Sequence, residues 1–184
     1  ANPNGISCNG CSFINAPNSA LTTGAVSYDQ AGNIQFDTSG NANAVSIGSG
    51  GLDANGNLGT NNSNFSVISR QILLDGAVEG SDRVDIISGS NVYDFTQGSQ
   101  DANGPNRSIT KKAGTGSVNG LQIDASNVSS VQAGKINIVG TESGVGVQLN
   151  SSLDATAGNI EIDSDGNLVI GGSVSASESV RATT

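Results

Sequence analysis

The chain lacks histidine, methionine and tryptophan altogether, and only 3% of its 184 residues are aromatic. Without histidine there can be no His-dependent catalytic triad, no histidine metal site and no imidazole proton shuttle near neutral pH. Because large aromatic side chains are so few, a buried core must consist of small β-branched and aliphatic residues from many short segments. Most hydrolase and metalloenzyme mechanisms are therefore excluded, and we expect neither a cofactor nor a bound metal.

Charged residues are also scarce, at 12% of the chain, and 7 basic against 16 acidic residues give a net charge of -9. An acidic surface repels phosphate groups and anionic lipid headgroups, which disfavours binding to nucleic acid or to a membrane surface. No apolar run reaches the roughly 18 residues of a transmembrane helix, so we expect no membrane span. No basic and then apolar leader opens the sequence, so we expect any export signal to lie upstream or to have been removed.

Helical periodicity is almost absent, whereas the apolar alternation of strands recurs to the end of the chain. Gly, Asn, Asp and Ser bound each apolar segment, which is typical of tight turns between short strands. The pattern predicts an all-β fold. The predicted strand segments are 34–36, 45–47, 65–67, 84–86, 121–123, 136–138, 145–147, 160–162 and 168–170.

The last third of the chain repeats itself. Residues 120–123 (GLQI) are matched by 144–147 (GVGV), and residues 133–138 (AGKINI) by 157–162 (AGNIEI). Such a period indicates a solenoid, in which no repeat can bury its apolar face without its neighbours. Leucine-rich and calcium-binding nonapeptide consensus sequences are missing, which leaves a parallel β-helix of about 20 to 25 residues per coil. We expect a single domain over 1–184, with about eight coils and a length of roughly 40 Å.

One stretch interrupts this rhythm, and we expect an excursion from the rod near 92–117. Within it, residues 97–113 form a predicted loop insertion with a single large aliphatic residue, Ile109. Residues 92–95 (VYDF) before it are predicted to form an extra strand that packs on the outside of the rod. Partner contacts are expected on such surface insertions, although a purely structural hairpin explains the pattern equally well.

A set of short motifs is distributed along the chain from residue 2 to residue 147. Asn2-Pro3-Asn4-Gly5 is followed by the pair Cys8 and Cys11, and further motifs lie at 21–24 (LTTG), 65–70 (FSVISR), 89–93 (GSNVY) and 133–147 (AGKINIVGTESGVGV). Together, and in this order, they resemble the N-terminal secretion domain of two-partner-secretion (TPS) exoproteins. That family includes filamentous hemagglutinin-like adhesins, hemolysins and contact-dependent growth inhibition toxins.

The resemblance implies a right-handed parallel β-helix and a non-catalytic secretion and display module. The partner outer-membrane transporter would recognise it through its periplasmic domains, and the β-helix would template folding outside a Gram-negative cell, which it reaches via the periplasm. Asn2, Pro3, Asn4 and Gly5 would form the secretion motif, which has a second interpretation as a simple turn. In the family a further stretch precedes this motif, so we expect the C-terminal part of a secretion domain, with room for the first passenger coils.

Cys8 and Cys11 form a Cys-x-x-Cys pair. The β-α-β surroundings of a redox-active pair are missing, and a four-ligand zinc site cannot be completed within the chain. In an exported protein the pair should oxidise, so we expect a structural disulfide rather than a redox catalyst.

Two other functions stay open from the sequence. The coils could bind a host or neighbouring cell directly, as in a surface adhesin. A carbohydrate-active β-helix enzyme is the less favoured alternative, with Arg70, Asp82, Arg83 and Asp85 clustering on adjacent coils. The Asp- and Asn-rich segments 53–57 and 163–167 lack the spacing of a calcium loop and are predicted to be corners between coils.

Overall fold

The computed structural model describes residues 1–14, 16–55, 64–95, 109–127 and 129–184. In these ranges 22 β-strands form three parallel six-stranded sheets and one four-stranded sheet. Successive strands of the chain visit the three parallel sheets in turn, so each circuit adds one rung to a β-helix. The all-β, parallel β-helix fold predicted from the sequence is confirmed. No helix of the described part is long and apolar enough to cross a membrane.

The three parallel sheets form the walls of the rod. Sheet 1 contains β1 (Ile6–Cys8), β6 (Ala44–Ile47), β9 (Gln71–Leu74), β14 (Ile123–Ala125), β17 (Val147–Leu149) and β20 (Leu168–Ile170). Sheet 2 contains β2 (Cys11–Ser12), β7 (Leu52–Asp53), β10 (Val78–Glu79), β15 (Ser130–Ala133), β18 (Ser152–Ala155) and β21 (Val174–Ala176). Sheet 3 contains β3 (Asn18–Thr22), β8 (Asn64–Ser69), β11 (Arg83–Ser88), β16 (Lys135–Gly140), β19 (Ile160–Ser164) and β22 (Val180–Thr183).

The core is a stack of aliphatic side chains inside the rod. Equivalent inward positions lie opposite each other from rung to rung, because the parallel strands pair in register. One row of sheet 3 contains Leu21, Val67, Ile86, Ile138, Ile162 and Ala182. One row of sheet 1 contains Ile6, Val45, Ile72, Ile123, Val147 and Leu168. Strands in register place like side chains about 4.8 Å apart, so six rungs span about 24 Å.

A second, smaller hydrophobic cluster lies outside the rod. It is covered by the outer sheet, which consists of β4 (Ala25–Tyr28), β5 (Ile34–Asp37), β12 (Asn91–Asp94) and β13 (Ile109–Lys111) in antiparallel pairing. The buried members of the cluster are Phe36 and Tyr93 of the outer sheet and Ile68 and Ile87 of sheet 3. Sheet 3 is therefore covered by apolar side chains on both faces over its middle rungs.

The predicted number of coils is wrong. In the part of the chain that the structure describes, the rod has six rungs rather than about eight, because residues 25–37 and the strands β12 and β13 belong to the outer sheet instead of to rungs. The segment Ile34–Asp37, predicted as a strand of the rod, is a strand whose apolar side faces the outside of sheet 3. The predicted outer strand at 92–95 corresponds to β12. Of the predicted loop insertion 97–113, residues 109–111 form β13, and residues 97–108 lie outside the described residues.

Candidate functional site

The predicted secretion motif forms a tight turn, named here the motif turn (Asn2–Gly5). The Gly5 N–H donates to the Asn2 carbonyl at 3.2 Å, and the Asn4 N–H donates to Asn2 Oδ1 at 3.1 Å. Gly5 has φ 106°, a conformation that other residues rarely adopt. The local hydrogen bonds and this glycine explain why the sequence Asn-Pro-Asn-Gly turns here.

The motif turn is attached to the first two rungs. The Asn2 N–H donates to the Thr22 carbonyl at the end of β3 at 2.9 Å. The Asn43 side chain, just before β6, donates through Nδ2 to the Pro3 carbonyl at 2.7 Å. These two bonds hold the backbone of the turn, whereas the Asn4 side chain is exposed and makes no hydrogen bond to the described residues. The turn is thus a rigid loop that presents a carboxamide to solvent.

A polar network surrounds Asn43, the residue that holds the Pro3 carbonyl. The Thr23 and Ser69 hydroxyls are hydrogen bonded at 2.7 Å, and Ser69 Oγ donates to the Asn43 carbonyl at 2.9 Å. Asn41 Nδ2 donates to the Thr23 carbonyl at 3.1 Å, and Asn41 Oδ1 accepts from the Asn43 N–H at 3.1 Å. Of these residues, only Thr23 and Ser69 are buried, and because buried hydroxyls need partners, they hold the backbone around the exposed Asn43 in place.

The two cysteines lie at the corner between sheets 1 and 2 on the first rung. Their Cα atoms are 5.7 Å apart and their sulfur atoms are within bonding distance. Cys8 lies opposite Ile47, and Cys11 lies opposite Leu52 on the second rung. The pair therefore occupies two inward positions that carry aliphatic side chains on the next rung. The disulfide in the exported protein stays a prediction.

The residues considered for a carbohydrate-active site do not form one cluster. Asp82 lies in the bend before β11. Arg70 pairs with Glu142 at a corner of the rod, with Nη2 and Oε1 2.6 Å apart. Arg83 and Asp85 are joined, with Nε and Oδ1 2.7 Å apart. Asp85 is buried, so this pair does not line an open cleft.

Asp85 occupies an unusual environment for a carboxylate. Burial raises its pKa, and the neighbouring Arg83 guanidinium opposes that shift. Asn137 of the next rung donates to Asp85 Oδ1 at 3.2 Å. Burial also raises the pKa of the nearby Tyr93 phenol, and the Asp85 charge adds to that effect. The arrangement is a buried polar contact of the strand layer rather than an acid–base pair open to substrate.

Two exposed ion pairs connect the outer sheet to its surroundings. Lys112 Nζ lies 2.5 Å from Asp37 Oδ2, and Lys111 Nζ lies 2.5 Å from Asp165 Oδ2. Burial alone would raise the pKa of Asp37, but hydrogen bonds from Lys112 and Ser39 outweigh it and lower that pKa. Such exposed pairs contribute little to stability.

The segments considered for calcium are corners where the structure describes them. Asp53 ends β7, and residues 56–57 lie outside the described residues. Residues 163–164 end β19 and residues 165–167 join it to β20, where Lys111 pairs with Asp165. Within the described ranges, no group of three or more His, Cys, Asp and Glu side chains could hold a metal ion.

Two residues of this region were missed by the sequence analysis. Asn43 holds the motif turn from 40 residues away, and Glu142 meets Arg70 across 72 residues. Neither contact leaves a local signal, because both depend on which corners stack in the finished rod. The sequence signals only that the corners are rich in Asn, Ser and Thr, which can form hydrogen bonds between corners.

The chain is similar in sequence to a known protein family and to large bacterial exoproteins. A family model described as the TPS secretion domain matches residues 1–170. The chain is 35% identical over 175 residues to the tRNA nuclease CdiA of Yersinia mollaretii, which covers 95% of the chain and 5% of that protein. It is 34% identical over 176 residues to the filamentous hemagglutinin of Bordetella pertussis, covering 93% of the chain and 4% of that protein. The chain thus spans only a small part of these relatives.

A solved structure agrees with the fold. The crystal structure of the filamentous hemagglutinin secretion domain superposes with a TM-score of 0.73 and 26% identity, and the match covers 100% of the chain and 65% of that structure.

Proposed function

The chain belongs to the TPS secretion-domain family, and on this premise we propose that the motif turn is a surface by which the partner outer-membrane transporter recognises it. The family works in two-partner secretion, in which the secretion domain directs a large exoprotein through its transporter. The recognised chemistry would be the exposed Asn4 carboxamide together with the backbone of the turn, which its hydrogen bonds hold in one geometry. The transporter's periplasmic domains are the proposed binding partner.

The observation that supports this proposal is the contrast between backbone and side chain in the motif turn. Its backbone is tied to Thr22 and Asn43, but the Asn4 side chain projects to solvent without a partner in the described structure. A turn that served the fold alone would need only the backbone bonds and Gly5. A free carboxamide on a backbone that is already held in place is suited to a binding partner, since the turn itself loses little conformational entropy when it binds.

The rod itself supports a role in folding during export. The strands of each rung pair in register with those of the preceding rung, and their inward side chains cover the core of that rung. An emerging chain can therefore fold on the edge of the last rung, and burial of aliphatic rows favours outward movement without a nucleotide. We place the whole of 1–184 in one β-helical domain of this kind, non-catalytic, in an exoprotein exported via the periplasm to the surface of a Gram-negative cell. The parent protein would be a toxin, hemolysin or adhesin, as its relatives indicate.

In the exported protein, Cys8 and Cys11 would form a disulfide. Cys8 and Cys11 occupy inward positions opposite Ile47 and Leu52, and a covalent loop there would hold the corner between sheets 1 and 2 in place. Cys8 is buried in the lumen, which suits a structural rather than a redox-active pair.

Binding to the purified periplasmic domains of the partner transporter tests recognition directly. We expect saturable binding of the chain, reduced at least about tenfold by Asn4→Ala, which removes contacts of roughly 1.4 kcal/mol or more. Asn119→Ala is the matched control, because Asn119 is also exposed and also precedes a glycine with positive φ. Equal affinities of the two variants would contradict the proposal.

A further inference from the structure

The corner that joins sheet 3 to sheet 1 contains a buried ion pair that the secretion function does not explain. Arg70 is only 2% exposed, although it carries a full charge. Its Nη2 lies 2.6 Å from Glu142 Oε1, and its Nε donates to Glu142 Oε2 at 3.2 Å. The two-point geometry is the one in which an arginine and a carboxylate bind most strongly.

The chain leaves the rod twice to form the outer sheet: the first excursion (25–39) contains β4 and β5, and the second excursion (90–116) contains β12 and β13. The Arg70–Glu142 pair holds both ends of the second excursion. At its beginning, the Ser90 N–H donates to Glu142 Oε2 at 3.2 Å, just before β12. At its end, the Thr115 and Gly116 carbonyls accept from Nη1 and Nη2 of Arg70, the latter bond at 3.0 Å. A Cβ on Gly114 would lie 2.5 Å from Arg70 Cζ, so the returning chain packs directly on the guanidinium.

Closure of the outer sheet is therefore coupled to this pair. When β12 and β13 lie on the rod, Tyr93 covers Ile68 and Ile87, and the chain on either side of these strands meets Arg70 and Glu142. Thr115 also joins the first excursion, since its N–H donates to the Ser39 carbonyl at 2.9 Å. One charge pair thus connects both excursions to the corner.

Chain order makes the coupling directional. Arg70 opens the third rung, and the whole second excursion lies before β14. Glu142 comes only after β16, the last strand of the fourth rung. If the outer sheet closed earlier, it would bury the Arg70 guanidinium without its carboxylate, which is strongly unfavourable. The exposed pair Lys112–Asp37 is complete before that point, but a solvated pair is too weak to offset such burial.

We propose that Arg70 and Glu142 form a closing latch, which lets the outer sheet lock onto the rod only after the fourth rung has formed. During export, which is the proposed function on which this order of events rests, the first three rungs would fold with the second excursion still open. Once the fourth rung has formed, the Glu142 carboxylate would pair with Arg70 and accept the hydrogen bond from the Ser90 N–H. The outer sheet would then close in a single late step.

Pulse-labelling hydrogen exchange during refolding of the purified full chain tests the order without the transporter. We expect peptides from β12 to become protected in the same kinetic phase as residues 141–145, and later than those from β6 and β9. Protection of β12 before residues 141–145 would overturn the proposal. Because the wild-type chain is used, this result does not depend on how well a variant folds.

A variant pair supplies the second measurement. In Glu142→Gln, exchange of β5 and β12 in the native state should accelerate at least about 100-fold, with β6 and β9 unchanged, because a buried partner has been removed. Glu79→Gln is the matched control, as Glu79 lies on the outer face of sheet 2, and it should alter neither region. Unchanged exchange of the outer sheet in Glu142→Gln would refute the latch. A latch that fails while transporter binding persists leaves the proposed function intact.

Discussion

Ile136 and Ile160 lie directly opposite each other on neighbouring strands of sheet 3, and both are buried inside the rod. Their segments are the two halves of the repeat recognised at 133–138 and 157–162. The internal repeat of the sequence is therefore the physical repeat of the β-helix. Equivalent residues of consecutive repeats stack on one another, so each row of core side chains runs without interruption from one rung to the next.

The continuity of these rows predicts a large cost for a cavity at mid-rod. Ile138→Ala should lower the free energy of unfolding by about 2–5 kcal/mol, because Ile138 is fully buried between Ile86 and Ile162. Urea unfolding followed by circular dichroism measures this loss. Val169→Ala, at a 52% exposed position, is the control and should change stability by no more than about 0.5 kcal/mol. Similar losses in both variants would contradict a core inside the rod.

The glycine at the third corner between sheets 1 and 2 should be essential for stacking. A Cβ on Gly76 would lie 2.1 Å from the Gly48 carbonyl oxygen of the rung before it. We expect Gly76→Ala to destabilise the chain by about 1–3 kcal/mol, because the two corners would have to move apart. Gly40→Ala serves as control, since nothing lies within 4 Å of a Cβ at that position. Thermal unfolding of the two variants should separate them clearly, and coincident curves would argue against this corner packing.

The cysteine pair gives a prediction that depends on redox conditions. Replacing both Cys8 and Cys11 by Ala should lower stability by about 1–3 kcal/mol under oxidising conditions. Addition of a reductant should destabilise the wild-type chain by a similar amount and leave the variant unaffected. Urea unfolding with and without reductant makes the comparison. A wild-type chain insensitive to reductant would show that the disulfide contributes nothing.

Secretion should depend on Asn4 more than folding does. With the partner transporter present, we expect Asn4→Ala to reduce the amount of exported protein at least about tenfold, while the purified variant unfolds within about 0.5 kcal/mol of wild type. Asn43→Ala should lower both export and stability, because it removes the bond that holds the Pro3 carbonyl of the recognised turn. Quantifying exported protein alongside urea unfolding separates the two effects. Parallel losses of export and stability in Asn4→Ala would make the motif purely structural.

The buried carboxylate under the outer sheet predicts a dependence on pH. Because burial raises the pKa of Asp85 above its unfolded value, the folded chain binds this proton more tightly than the unfolded chain does. Stability should therefore fall as pH rises from about 4, the unfolded pKa, through the raised folded pKa. Asp85→Asn cannot lose this proton, so its stability relative to wild type should increase over the same window. Urea unfolding from about pH 4 upward measures the difference, and a constant difference would contradict the assignment.

Local patterns were sufficient to predict the strands and the solenoid. In the segments 136–138 and 160–162 two apolar residues flank a polar one, and only a strand puts both on the same side. The repeat then indicates that these strands stack on one another. Ile34–Asp37 shows the limit of that inference, since its alternation is the same whether its apolar side faces the lumen or the outside of sheet 3. The expectation of about eight coils failed for this reason.

The sequence by itself determined an acidic, all-β solenoid with Gly- and Asn-rich corners, because alternation, turn residues and repeat length are all properties of neighbouring residues. Tertiary structure alone decided that residues 25–37 leave the rod, that Asn43 anchors the motif turn, and that Arg70 pairs with Glu142. Those contacts join residues far apart in the chain, and their partners are selected by the stacking of rungs and the burial of charge, which no local segment encodes.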